Sequence, residues 1–386
     1  MNRIILHCDM DNYFAAVEEK YNPTLKSVPF AVCGDPKMRH SVVMSKNQLA
    51  KKAGVPTGIS FRQAQHICPN LQYVKADFNK YLEQTKISRA IFSKYSNTII
   101  PYGMDESWID LGDVSYKEAE QIAELIRIEI LYSLGLSASL GVSYNYIFSK
   151  LGSDYSKPNA ITVVTPQNYK DLIWPLPASD LLFVGSKRMK LLQGIGISTI
   201  GDIACSRIEN LRQLLGKVGQ DIWLFANGDD STFKPNNDII GSIGNTITPP
   251  VDLYNDEDVS ATLYLLATTV AARLKNHNLK TRCICINLRD NAFNKKSRQH
   301  SFAFATNEVN DIFNQAYALV TKHHNWERPL RSIGIRADHL IHDNQLTLHS
   351  IEPSELSINI NERVKNLTDR LGPLKVEQGA GIKEYW

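Results

Sequence analysis

Three acids give this chain its first chemical signal. Asp105 and Glu106 stand side by side in IPYGMDESWIDL (100–111), an otherwise apolar, β-prone run, and Asp9 lies near the end of a short apolar run, RIILHCDM. Like charges repel and buried carboxylates need partners, so these neighbours demand a counter-charge or a bend that exposes them. An acidic hairpin tip facing water meets that demand. If instead the first run lies beside the second, Asp9, Asp105 and Glu106 converge, and three carboxylates with a backbone carbonyl suit hard divalent ions such as magnesium. Two such ions, about 3.5 to 4 Å apart, activate a hydroxyl and stabilise a leaving pyrophosphate. Phosphoryl transfer asks mainly for positioning and charge, so few other catalytic groups are required. Alternation along a strand sends Asp105 and Glu106 to opposite faces, so both reach one site only if the chain bends there.

The surrounding residues define the elements that would position these acids. RIILHCDM reads as a strand and DNYFAAVEEKYNP as a helix, with Asp11 as its N-cap and Pro23 as its stop. PFAVCG and HSVVMSKN read as strands, and QLAKKAGV as a helix stopped at Gly54. NKYLEQTKISRAIFSKYS and YKEAEQIAELIRIEILYSLG have helical periodicity on either side of the acidic segment, and LSASLGVSYN alternates as a strand. This order predicts an α+β sheet covered by helices. Short helices broken by glycines follow from 167, then a polar, turn-rich linker. DVSATLYLLATTVAARLKNHN, KTRCICINLRD, SRQHSFAFAT, VNDIFNQAYALVTKHH and LRSIGIRADHLI then read as helix, strand, strand, helix, strand.

Length and composition agree with several folded parts. At 386 residues the chain exceeds one ordinary domain, and roughly two to four units are expected. A net charge of +3 neither requires nor excludes a polyanionic partner. Cys8, Cys33, Cys68, Cys205, Cys283 and Cys285 lack the paired spacing of a zinc site and are expected to be reduced thiols. The N-terminus turns acidic after a handful of apolar residues, unlike a signal peptide, and no apolar run reaches the length of a membrane span. A cytoplasmic protein without a membrane partner is the expectation.

CDMDNYFAAVEE, YGMDESWIDL and LGVSYNYIFSKLGSDYSKPNAI resemble three signature blocks of the Y-family DNA polymerases, the lesion-bypass enzymes, close to the bacterial DNA polymerase IV-like branch. VGSKRMKLLQGIGISTIGDIA and GSIGNTIT continue the match in order. The resemblance implies an α+β multidomain fold, a right hand of palm, fingers and thumb plus a little finger. The palm would occupy 1–166 with a fingers insert at about 20–76, the thumb with helix-hairpin-helix elements 167–230, a linker 231–241, the little finger 242–343 and a tail 344–386. It also implies template-directed, low-fidelity translesion synthesis, by nucleotidyl transfer from a dNTP to a primer 3'-hydroxyl with two Mg2+ ions, which Mn2+ can replace. In that reading Asp9, Asp105 and Glu106 are catalytic and hold the ions, with the Met10 carbonyl as a further ligand. Phe14 falls at the family's aromatic steric gate and Lys157 at a phosphate-binding lysine, while backbone N–H groups around Tyr13 and Phe14, at a helix N-terminus, suit the same triphosphate. Ser45, Gln48 and Lys51 stand where many relatives place a threonine, a tyrosine and an arginine. Ser45 keeps the hydroxyl, Gln48 loses an aromatic face, and Lys51 offers a point charge in place of a bidentate fork. Ser41 replaces a glycine usual beside the templating base.

Primer-template DNA is the macromolecular partner this implies. FVGSKRM and GIGISTIG resemble glycine hairpins that bring backbone N–H groups to a phosphate, through Gly185, Lys187, Gly194 and Gly196. Ser242 and Gly244 in GSIGNTIT, and Lys296 and Arg298 in a basic last unit, would contact DNA without reading its sequence. DNQLTLHS resembles the peptide by which bacterial polymerases bind the sliding clamp, with Gln345, Leu346 and Leu348 as anchors within 345–349. A monomer is expected. Two other readings fit parts of the pattern: a catalytically silent, polymerase-like DNA-binding subunit and a nucleotidyl cyclase. A cyclase needs neither the glycine hairpins nor the basic last unit, and the presence of all three acids speaks against silence.

Overall fold

The structure, a computed structural model, describes residues 3–35, 41–235 and 240–343. Two compact units emerge, one built from 3–34 and 42–235, the other chiefly from 240–343. No helix among the described residues is long and apolar enough to cross a membrane.

The first apolar run forms β1 (Arg3–Met10), buried beyond its first residue because it is central and covered on both faces. Asn12, in left-handed backbone at φ 49°, turns the chain into α1 (Tyr13–Tyr21), so Asp11 is not the cap that the sequence suggests. β2 (Phe30–Cys33), β3 (Val43–Lys46), α2 (Gln48–Lys52), α3 (Phe61–Ile67) and β4 (Gln72–Lys75) follow. Their small sheet has the order β3-β2-β4, with β3 antiparallel and β4 parallel to β2. Asp77 caps α4 (Phe78–Phe92), which leads to β5 (Thr98–Pro101) and β6 (Glu106–Asp113). α5 (Tyr116–Leu134) starts at Ser115, whose hydroxyl accepts the Glu118 N–H, and stops at Gly135 in left-handed backbone. β7 (Ala138–Ser143), α6 (Tyr146–Tyr155) and β8 (Ile161–Val164) complete a five-stranded sheet of order β5-β6-β1-β7-β8.

α7 (Tyr169–Leu172), α8 (Ser186–Gln193), α9 (Ile200–Cys205), α10 (Ile208–Leu215) and α11 (Lys217–Ala226) gather around Leu192, Ile200, Leu211, Ile222 and Phe225. Phe233, inside the stretch expected to be a linker, packs its ring on Trp108, Tyr146 and Phe225. The second unit runs β9 (Ile243–Ile247), α12 (Asp256–Asn276), β10 (Leu279–Asp290), β11 (Lys295–Thr306), α13 (Val309–His323) and β12 (Leu330–His342). Its antiparallel sheet has the order β11-β10-β12-β9, and Ile284, Ile286, Ile333 and Ile335 meet the apolar sides of α12 and α13. β9 adds a strand to the expected pattern; IGNTI holds a glycine and an asparagine, both poor strand formers, which hide it.

One contact decides how near α6 comes to the sheet. A Cβ at Gly141 would stand 1.8 Å from the Ser149 carbonyl oxygen and 2.5 Å from the Ser153 nitrogen. Gly152 faces it, with its own Cβ position 3.1 Å from Gly141 Cα. Side-chain-free backbone on both elements lets α6 reach over β7 toward β1. Gly141→Ala should therefore lower the unfolding free energy by at least about 2 kcal/mol, read as a lower urea midpoint. An unchanged midpoint would mean that the helix can retreat without loss.

Candidate active site

Antiparallel pairing of β1 with β6 sets Asp9 directly opposite Glu106, so the two carboxylates share a face of the sheet. Asp105 precedes β6 and lies in a bend, free of the alternation that would turn it away. Several bonds fix that bend. Tyr102 N–H donates to the Glu106 carbonyl at 3.0 Å, and Met10 N–H donates to the Asp105 carbonyl at 3.0 Å. From α4, Thr85 Oγ donates to the Met104 carbonyl at 2.7 Å and an Arg89 Nη2 proton goes to the Gly103 carbonyl at 3.1 Å. The bend that the adjacent acids require is thus pinned at Gly103, Met104 and Asp105.

Cations from the α6 region answer the acids. Lys150 Nζ lies 2.5 Å from Glu106 Oε2 and 4.0 Å from Asp9 Oδ2. Lys157 Nζ lies 2.6 Å from Asp9 Oδ2 and 2.7 Å from Asp154 Oδ1. Burial and then the charge of Glu106 still raise the Asp9 carboxyl to about 7, and the same causes raise Asp105 to about 6. Burial also works against ionised Glu106, but its contacts with His7 and then Lys150 outweigh burial and hold it at about 2. Asp9 thus faces an ionised neighbour across the sheet, and that charge opposes its own ionisation. Burial lowers the enclosed His7 imidazole to about 4. Its Nε2 stands 3.3 Å from Glu106 Oε2, too poorly aligned to complete a hydrogen bond. Among the described residues, no three acidic, imidazole or thiol groups close around a single ion position. The acids are brought to one place, with lysines rather than a closed ligand shell between them.

All three acids open on a cavity of about 520 Å3, lined also by Met10, Tyr13, Phe14, Ser45, Lys51 and Lys157. Phe14 stacks on Tyr81 with ring centroids 4.5 Å apart and planes 27° apart, and meets the edge of Phe78. Tyr13 is buried and its hydroxyl donates to the Tyr81 carbonyl at 2.6 Å, so what it offers the cavity is its backbone. The Ser45 hydroxyl spans to the start of α1, 3.3 Å from the Asn12 carbonyl and 3.4 Å from Ala15 N. Lys51 and the neighbouring Lys46 and Gln48 border the same space.

Sequence reasoning missed Lys150, His7, Thr85 and the use of Asp11. Asp11 accepts from Ser139 Oγ at 2.9 Å and from Asn159 N–H at 2.9 Å, tying the loop after Lys157 to the end of β1. Lys150, Asp154 and Lys157 recur at intervals of four and three, and that spacing of charge is the available signal, although α6 ends at Tyr155 and Lys157 follows it.

The remaining sequence-derived positions lie elsewhere. Gly185 and Lys187 sit at the start of α8, and Gly194 and Gly196 in the turn before α9, where Gly196 has φ 81°. Gly185 has an extended backbone that any residue adopts, with open space around it, so no local strain demands glycine there. In the second unit, Gly244 on β9 pairs with Arg336, and Ser242 immediately precedes that strand. Lys296 and Arg298 are exposed on β11, the opposite edge of the sheet. Gln345, Leu346 and Leu348 lie outside the described residues.

Comparison with known proteins agrees with this geometry. The impB/mucB/samB family matches residues 8–154, and the C-terminal domain of the same family matches 241–350. The chain is 39% identical to DNA polymerase IV of Acetivibrio thermocellus, over 100% of this chain and 98% of that protein. It is 30% identical to DNA polymerase IV 1 of Bacillus subtilis, over 99% of this chain and 94% of that protein. Among solved structures, a Y-family DNA polymerase chimera superposes with a TM-score of 0.78 at 23% identity, covering 88% of this chain and 99% of that one, a likeness of fold. The chain therefore belongs to the Y family of DNA polymerases, DNA-directed DNA polymerases, on the bacterial DNA polymerase IV-like branch.

Proposed function

We propose that this chain carries out low-fidelity, translesion DNA synthesis, adding dNTPs to a primer 3'-hydroxyl in the cavity under β1 and β6. One observation carries the reading: Asp9 pairs across the sheet with Glu106, and Asp105 enters from a pinned bend, beside Phe14 and Lys157. Asp9, Asp105, Glu106 and the Met10 carbonyl would hold two magnesium ions, or manganese in their place. The donor set suits them, being hard oxygens in a buried corner that is short of positive charge even with two lysines in contact. When bound, such ions acidify the primer hydroxyl and offset charge on the departing pyrophosphate.

The chain's own residues do the positioning. Lys157 offers its ammonium to the triphosphate, Tyr13 and Phe14 their backbone N–H groups, and Ser45 and Lys51 border the same path. Phe14, backed by Tyr81, is a rigid surface that rejects a ribose 2'-hydroxyl by collision. We assign Gly185, Lys187, Gly194, Gly196, Ser242, Gly244, Lys296 and Arg298 to contacts with the DNA backbone, in a hand whose palm, fingers, thumb and little finger follow the ranges given above. The chain works as a monomer in the cytoplasm, with 345–349 reserved for the sliding clamp.

Primer extension with Mg2+ and dNTPs tests the central claim. Asp105→Ala and Glu106→Ala should each lose about a hundredfold to a thousandfold in rate; normal extension by either sinks the mechanism. Phe14→Ala should raise ribonucleotide incorporation relative to deoxyribonucleotide by about tenfold or more, measured as a ratio of kcat/KM values. An unaltered ratio would remove Phe14 from sugar selection. For DNA binding, Lys296→Ala and Arg298→Ala should each reduce the slope of log affinity against log salt by about 0.9. A slope equal to that of the unaltered chain places those side chains away from phosphate.

A further inference from the structure

A second pair of cations borders the cavity of the three acids, and it differs from Lys150 and Lys157 in having no acid of its own. Lys46 ends β3 and Lys51 lies in α2, and both border the space that Asp9, Asp105 and Glu106 open on. The corner between them is fastened on several sides. Asn47 is buried; its side-chain oxygen accepts the Ala50 N–H at 3.0 Å and the Phe30 N–H at 3.3 Å, and its amide donates to the Val28 carbonyl at 2.9 Å. Lys51 N–H donates to the Asn47 carbonyl at 2.9 Å, so the strand end and the helix are held as one piece. Lys150 and Lys157 are each engaged by carboxylates. Among the described residues, no carboxylate engages the ammonium of Lys46 or of Lys51.

We propose that Lys46 is a nucleotide-binding residue that, together with Lys51, holds the triphosphate of the incoming dNTP. This rests on the reading of the cavity as the dNTP site and adds a residue to that site. A lone ammonium is a point charge and cannot take two phosphate oxygens in the planar fork that a guanidinium offers. Two ammonium groups carried by one fixed corner supply donors at two separate positions. The cost of keeping them together points the same way. Lys46 is half-buried, and burial followed by the charge of Lys51 lowers its ammonium from the ordinary lysine range. Like charges partly withdrawn from water, with no acid between them, are relieved by an anion. The polyanion that this reading brings into the cavity is the triphosphate. A lysine solvated on an outer face is the competing account, and Lys52 fits it, being exposed and outside the cavity lining.

Single-nucleotide insertion by the full chain on primer-template DNA with Mg2+ tests this, using two variants that keep a long side chain. Lys46→Gln removes the charge and should raise the KM for the dNTP about tenfold or more with kcat little changed, the pattern of lost uniform binding. Lys46→Arg keeps the charge and should stay near the unaltered KM. An unaltered KM in Lys46→Gln overturns the proposal, and so does an equal rise in Lys46→Arg, which assigns the effect to packing. Equilibrium binding of a fluorescent dNTP to the complex with a chain-terminated primer gives a readout without turnover, in which Lys46→Gln should lose the same factor. Affinity for the DNA alone, measured by anisotropy, should be equal in Lys46→Gln and the unaltered chain; a loss confined to DNA affinity places Lys46 on the DNA and overturns the proposal. Lys157→Gln separates the two readings. If it and Lys46→Gln both keep full dNTP affinity, the reading of the cavity as the dNTP site fails; if Lys157→Gln loses affinity and Lys46→Gln does not, only the role of Lys46 fails.

Discussion

Repulsion among three carboxylates in one buried corner is the constraint around which the first unit is arranged. Two like charges about 5 Å apart, at an effective dielectric near 20, repel by about 3 kcal/mol. An exposed salt bridge returns about 0 to 1 kcal/mol and cannot offset this. Compensation has to come from cations that are themselves partly enclosed, and Lys150 and Lys157 are. They reach the acids because α6 lies against β7 at the distance that Gly141 and Gly152 permit. A steric fact about two glycines thus becomes an electrostatic fact about the site.

A second support is shared between the acids and the nucleotide side of the cavity. Tyr81, Thr85 and Arg89 recur every four residues on α4 and so project from one side of it. Tyr81 stacks on Phe14, Thr85 donates to the Met104 carbonyl and stands 2.9 Å from the Tyr13 hydroxyl, and Arg89 donates to the Gly103 carbonyl. The ring that we assign to sugar selection and the bend that delivers Asp105 are therefore mounted on the same helix. A change that shifts α4 therefore moves the Phe14 ring and the Asp105 bend together.

The legible parts of the chain are those where local pattern and tertiary role coincide. β1 is a continuous apolar run because it is central, and α5 and α12 have capping side chains at Ser115 and Asn255. The acids could be named from sequence, since adjacent carboxylates in an apolar run are costly anywhere else. Their convergence followed from the resemblance but not from local pattern alone, because it depends on a bend held by Thr85 and Arg89, some twenty and sixteen residues upstream of Asp105. Asp11 illustrates the same limit: at the start of a helix it reads as a cap, but the turn is made by Asn12 and the carboxylate is spent on Ser139 and Asn159. His7 left no periodic trace at all, being a polar residue at a core position of a strand whose partner is a glycine on a neighbouring strand.

The ion pairs are arranged so that they can be exchanged. Lys157 divides its ammonium between Asp9 at 2.6 Å and Asp154 at 2.7 Å, and Lys150 is 3.6 Å from Asp154 while it holds Glu106. Asp154 lies nearer solvent than either Asp9 or Glu106, with about half of its side chain exposed. An incoming positive charge that takes over Asp9 or Glu106 leaves each lysine with a partner already in contact, so neither ammonium is stranded in a buried place. The full penalty of breaking a buried pair arises when one charge is left alone. Asp154 removes that condition, so either lysine can give up its acid without being left unpaired.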